Sequence, residues 1–281
     1  MMFCKLLWYD LKNGFRSTYR RYIAAAVAFC IMFVSAYIVV YSYNVGAKPE
    51  VPVQATLGNT LLYAFGGMDE YIPEPGNPFR LPAFWLLSYL LLAYITLYYP
   101  FNDLEEFGQN ILIRSGGRQL WWLSKCVWNV ASVVAFFLLA WAIFAVGCLV
   151  TGNSLSMELS PDIFSICQMV PDYQPPATLT PQILVLPLLV MAALNLFQMT
   201  LSLFIKPFYS YIVTAAILLI SAYYVSPFCI GNYAMPLRSH MIMANGVGLN
   251  TGMLVSVIIL VVAVIVGGLV FQRRDILKGE G

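Results

Sequence analysis

The stretch Pro100–Lys125, PFNDLEEFGQNILIRSGGRQLWWLSK, decides how this chain is read, because it is a polar island between two long apolar runs. It holds two adjacent acids, two arginines, a glycine pair and a tryptophan pair. Around it, the 281-residue chain is 60% hydrophobic and only 10% charged, whereas soluble domains average about a quarter charged. That composition predicts an integral membrane protein of the all-α class. A net charge of +2 is too small to imply nucleic acid.

Moving outward, six apolar runs are long enough to cross about 30 Å of hydrocarbon. They are Tyr22–Tyr43, Leu81–Tyr99, Trp121–Val150, Ile183–Ile205, Phe208–Ser226 and Met253–Phe271. The third is longer than a crossing needs, so it must tilt or begin in the headgroup layer near Lys125. Only Lys206-Pro207 separates the fourth from the fifth, which predicts a tight antiparallel hairpin. Ahead of the first run, residues 1–21 put Phe3, Leu7, Leu11 and Phe15 on one stripe, with Lys5, Lys12, Arg16, Arg20 and Arg21 outside it. This predicts a helix lying in the membrane interface. A signal peptide competes, but Tyr22–Tyr43 exceeds an ordinary h-region and lacks a clear cleavage site, so an uncleaved first span is expected.

With the N-terminus inside, the inner segments hold Lys5, Lys12, Arg16, Arg20, Arg21, Arg114, Arg118, Lys125, Lys206, Arg273, Arg274 and Lys278. The outer segments hold Lys48, Arg80 and Arg238. Twelve against three predicts that Pro100–Lys125 and both termini are cytoplasmic. Three outer loops follow, 44–80, 151–182 and 227–252. The first contains an apolar patch, Leu61–Phe65, which either packs on the bundle or touches a substrate. The third is apolar but broken by Gly and Pro, so a re-entrant segment and a plain loop both fit.

No Asp, Glu or His falls within the six runs, which argues against proton-coupled or hydrolytic chemistry at membrane depth. The single histidine, His240, reads as a loop residue, and no catalytic or metal-ligating residue is assigned. No GxxxxGK[ST] loop is present, so nucleotide hydrolysis would need another chain. The six cysteines lack CxxC spacing and read as apolar fillers, with a Cys167–Cys229 bridge left open. Asn195, Gln198 and Ser202 share one face of the fourth run. They either line a translocation path or bond to neighbouring helices, and the same alternatives hold for Asn129 and Ser132.

Within the opening stretch, Asn102 or Asp103 can cap a helix Asp103–Ile113 with Glu105 and Glu106 near its positive end. Leu104, Phe107 and Ile111 then share one face, and Glu105, Glu106 and Gln109 point elsewhere. Gly116-Gly117 ends the helix and Trp121-Trp122 anchors the next run at the headgroups.

This arrangement resembles the permease subunit of a type-2 ABC transporter across essentially the whole chain. Gly108–Asn129, GQNILIRSGGRQLWWLSKCVWN, is similar to Gram-positive bacterial permeases encoded beside a separate ATPase, as is the closing Phe271–Ile276, FQRRDI. The resemblance implies that Asp103–Ile113 is a coupling helix seated on an ABC ATPase, present in two copies, with a second permease, identical or paralogous, completing the path. It implies ATP and Mg on the ATPase and no cofactor on this chain. Arg114 and Arg118 are then candidates to pair with acids of the ATPase or with lipid phosphate. Related systems export drugs, lipids, polysaccharides or antimicrobial peptides, and the apolar patch in the first outer loop favours an amphipathic peptide or lipid-like compound. A membrane sensor or immunity protein that binds a peptide without moving it is the alternative.

Overall fold

The computed structural model describes residues 2–76, 78–104, 117–167, 169 and 171–273. Among the described residues the architecture is helical, with isolated β-bridges and no named strand. The helices of the described residues are, in order, α1 (Met2–Ala47), α2 (Leu57–Phe65), α3 (Ala83–Leu97), α4 (Tyr99–Asp103), α5 (Arg118–Thr151), α6 (Pro161–Ile166), α7 (Pro181–Leu201), α8 (Pro207–Tyr223) and α9 (Leu249–Arg273). Five stretches are long and apolar enough to cross a membrane: most of α1, Ala83–Asp103, α5, α7 and α9. The fifth apolar run of the sequence forms α8, a shorter apolar helix of 17 residues.

Residues 1–21 do not form a separate interfacial helix. Residues 2–47 run as one 46-residue helix, about 69 Å long at 1.5 Å per residue. The reason lies in its buried face. Asp10, Gly14, Thr18, Ala25, Phe29, Met32, Ala36 and Val40 are all buried at helical spacing, so one stripe runs through both parts and packs along α5. The Phe3, Leu7, Leu11 and Phe15 stripe is only partly buried. At Gly14 a Cβ would stand 1.9 Å from Trp128 Nε1, so glycine is what lets α1 approach α5 this closely.

The main core is aromatic. Phe29 of α1 meets Phe136 of α5 edge-on at 4.9 Å, and Phe65 of α2 lies against Phe29, Phe137 and Phe144. Helix α2 starts at Thr56, whose hydroxyl accepts from the Asn59 amide. It sends Leu61, Leu62, Ala64 and Phe65 into that core. The apolar patch of the first loop therefore packs on the bundle. Residues 202–206 turn α7 into α8 as the Lys206-Pro207 step requires, and Ser202 Oγ meets Ser210 Oγ at 2.6 Å across the turn.

Residues 227–248 form a packed wedge with two 3₁₀ turns, Ile230–Ala234 and Pro236–Arg238. Trp85 and Tyr89 of α3 both donate to the Ala234 carbonyl, at 2.9 and 3.0 Å. Arg238, counted from sequence as an outer loop charge, is fully buried. Its guanidinium donates to the carbonyls of Met68, Asp69, Ser221, Ala222 and Tyr224 and to Asn232 Oδ1. Burial pushes its pKa down to about 10, against the pull of the Asp69 and Glu70 carboxylates. One cation thus ties the first loop, the end of α8 and the wedge together. Cys167 and Cys229 are free thiols.

Candidate functional site

Helix α3 stops at Leu97, and the chain bends at Tyr98 into the five-residue α4, with Pro100 in its first turn. Asp103 is therefore the last residue of that short helix. Neither Asn102 nor Asp103 can cap as expected, because the chain is already helical from Tyr99. The Asp103 carboxylate is used elsewhere: its Oδ2 accepts from Lys125 Nζ at 2.6 Å.

Lys125 lies two turns into α5 and is fully buried. Its Nζ donates also to Asp10 Oδ1, at 2.6 Å. Asp10, likewise fully buried, accepts from Ser124 Oγ through Oδ2 and from the Tyr99 hydroxyl through Oδ1, the latter at 3.2 Å. The ammonium also stands 4.5 Å from the centre of the Tyr99 ring and 5.0 Å from that of Trp121. Three helices, α1, α4 and α5, thus contribute one charged group each to a buried cluster.

Both acids lie outside the six apolar runs, yet they are buried. The helices continue past the ends of the hydropathic runs, α1 through Asp10 and the second span through Asp103, and bring both carboxylates onto Lys125. Burial is tolerated because each charge has an opposite partner and further hydrogen bonds. Asp10 is the only acid before Glu50 in the sequence. Its place four residues before Gly14 and eight before Thr18, on the buried stripe, is the signal that could have exposed it.

Asp10 and Lys125 are fully buried, and each oxygen of Asp10 already accepts a hydrogen bond. Asp103 and Lys125 bracket residues 104–124, so both ends of that segment are fastened to α1 through one ammonium. Nearby, Leu104 packs with Trp121, Trp122, Leu196 and Phe271 in a second apolar cluster. Arg118 Nη1 donates at 2.8 Å to the Gln272 carbonyl, at the end of α9. Glu105, Glu106, Phe107, Gln109, Ile111 and Arg114 lie outside the described residues.

The other sequence candidates fall in a different place. Asn195 Oδ1 accepts from Thr96 of α3 at 2.8 Å, while Gln198 Nε2 donates to the Ala93 carbonyl of α3 at 3.0 Å. Ser202 meets Ser210 of α8. These three side chains join α7 to its neighbours. Asn129 is not brought into that seam by any hydrogen bond: both of its amide atoms are buried without a partner, as are Ser132 Oγ and Gln198 Oε1.

The chain belongs to the DUF2705 family. That family is described as a protein of unknown function, and its match runs over residues 66–277. The DUF2705 match takes in Asp103, Lys125 and the whole α7 seam, and begins after Asp10. No curated protein and no solved structure matches the chain.

Proposed function

We propose that this chain is the membrane-spanning, substrate-conducting subunit of an ATP-driven type-2 ABC exporter, paired with a separate ATPase and a second permease. In this reading six helices cross the membrane, both termini are cytoplasmic, and the segment between Asp103 and Lys125 receives the ATPase. ATP and Mg bind on that partner, and this chain catalyses nothing.

The observation that carries the reading is the Lys125 clamp. A segment that serves as a mechanical contact must not hinge freely at its two ends. Here its first residues are held by Asp103 and its last by Lys125, and both are held to α1 through Asp10 at 2.6 Å. A push on the segment therefore reaches α1 and α5 together, which is the rigid-body coupling an alternating permease needs. The packing of Leu61–Phe65 inside the core removes the feature that favoured an amphipathic substrate, so the reading commits to no substrate.

Isolation of the tagged chain from its native host in mild detergent tests the reading. An ABC ATPase is expected to co-purify, and Phe107→Asp is expected to release it while the chain still inserts. Recovery of the chain without any ATPase overturns the proposal and leaves the sensor reading in its place.

A further inference from the structure

A groove of about 340 Å³ opens between α1 and the bend that joins α3 to α4. On the α1 side it is lined by Asn13, Ser17 and Arg21, which share one ridge at i, i+4 and i+8. On the other side stand Tyr98, Asn102 and Asp103.

Arg21 is fixed in the wall. Its Nη1 donates to the Tyr94 and Ile95 carbonyls of α3 at 3.2 and 3.1 Å, and its guanidinium carbon lies 4.7 Å from the Tyr94 ring centre. Its Nε and Nη2 donors have no protein partner among the described residues, nor do the side-chain amides of Asn13 and Asn102 or the Tyr98 hydroxyl. The groove therefore presents a positioned cation and several neutral donors without acceptors. Among the described residues Asp103 is the only carboxylate on the lining; with Asp10 it shares Lys125, so these three groups sum to −1 and Arg21 brings the immediate cluster to neutral. The neighbouring ridge of α1, Lys12, Arg16 and Arg20, is exposed and makes the field over the groove mouth positive.

Position decides the source of the acceptor. Further along the same faces of the two helices, α1 exposes Ile31, ten residues on from Arg21, and α3 exposes Leu87, two turns from the Tyr94 that lies under the Arg21 guanidinium, so apolar surface follows the polar groove. An occupant with an anionic head and acyl chains satisfies both parts at once. We propose that the groove binds the phosphate of an anionic phospholipid, with Arg21 as the principal donor and the headgroup lying over Ser17, Asn13 and Asn102. The proposal is independent of the transporter reading.

The test uses the full-length chain in detergent, with bound lipid counted by native mass spectrometry. Phosphatidylglycerol is expected to be retained at one saturable site and phosphatidylcholine not. Arg21→Gln is expected to weaken retention about tenfold or more, as for loss of a charge-assisted bond. Arg21→Lys should recover part of it. Ser17→Trp starts from an exposed rim position and fills the groove without touching the core, so it should abolish the site even if Arg21→Gln folds poorly. The double variant Arg16→Gln/Arg20→Gln should change affinity only about twofold to threefold, as expected of exposed charges. Equal retention of the two lipids, or unchanged retention in Ser17→Trp, overturns the proposal. Displacement of the lipid by millimolar inorganic phosphate assigns the groove to a soluble phosphate compound and also overturns it.

Discussion

Asp10 and Lys125 stand 115 residues apart in the chain and 2.6 Å apart in space. The contact fixes the start of α1 to the start of α5, and the bond from Lys125 to Asp103 brings in the end of the second span. A buried ion pair of this kind adds little net stability over an apolar replacement, but removal of one partner strands the others.

Lys125→Met should therefore leave Asp10 and Asp103 buried and unpaired, at a cost of about 3–5 kcal/mol. A large fall in the melting temperature of the detergent-solubilised protein is the expected readout. The triple variant Asp10→Asn/Lys125→Met/Asp103→Asn removes all the charge and should regain most of the loss. If the triple variant is as unstable as the single one, unpaired charge is not the cause.

How much of this was legible in the sequence follows from which physical signals are local. Hydropathy marks apolar surface, so the runs that became α5, α7 and α9 were placed within a few residues, and the Lys206-Pro207 turn was visible because proline fixes the chain direction. The α2 patch and the 227–248 wedge were ambiguous, since an apolar segment broken by Gly and Pro looks alike whether it faces a core or a membrane. Asp10 was hidden for another reason. Its burial depends on a lysine more than a hundred residues away, and no local pattern announces that partner. Asp103 looked like a cap for the same reason: a helix start at Tyr99 depends on a bend after α3 that the uninterrupted run Leu81–Tyr99 conceals.

The packing of Trp122 gives a matched pair of variants. A Cβ on Gly267 would stand 2.0 Å from Trp122 Cζ2, whereas one on Gly268 would stand 3.3 Å from Cδ1. The indole cannot easily retreat, because its Nε1 donates to the Val264 carbonyl at 2.9 Å and its ring stacks on Phe271. Gly267→Ala should cost about 1–3 kcal/mol through overpacking. Gly268→Ala should change stability by less than about 1 kcal/mol. Equal melting temperatures for the two variants would refute this account of the α5–α9 contact.

Cys167, beyond the end of α6, offers a pH readout outside the spanning helices. Burial pushes its thiol up to about 11. Alkylation requires the thiolate, so at pH 8 the folded protein should react about a hundredfold more slowly than an unfolded control, and the rate should climb about tenfold per pH unit up to pH 10. The linkage has a definite sign. A raised acid pKa means that the folded state holds the proton longer, so stability should decline as pH rises between 9 and 11. The experiment needs the other five cysteines replaced by serine or alanine. A rate at pH 8 equal to that of the unfolded chain would contradict the burial.

Asn129 and Asn195 separate stability from function. Asn195 holds Thr96 and the Met191 carbonyl, so Asn195→Leu should cost about 1–3 kcal/mol by leaving partners unsatisfied. Asn129 has two buried amide atoms and no partner for either, so Asn129→Leu removes an unreturned desolvation cost and should be neutral or stabilising. A buried polar group without a return in stability is a candidate for a functional role, which on the exporter reading proposed above is conduction. On that reading, the expected outcome in vesicles reconstituted with the ATPase that co-purifies is that Asn129→Leu melts no lower than the parent yet transports more slowly. Slower transport from Asn195→Leu should instead track its lower stability and recover on cooling. If Asn129→Leu melts lower than the parent, the amide has a partner in the folded protein and its place on a conducting path loses its physical basis.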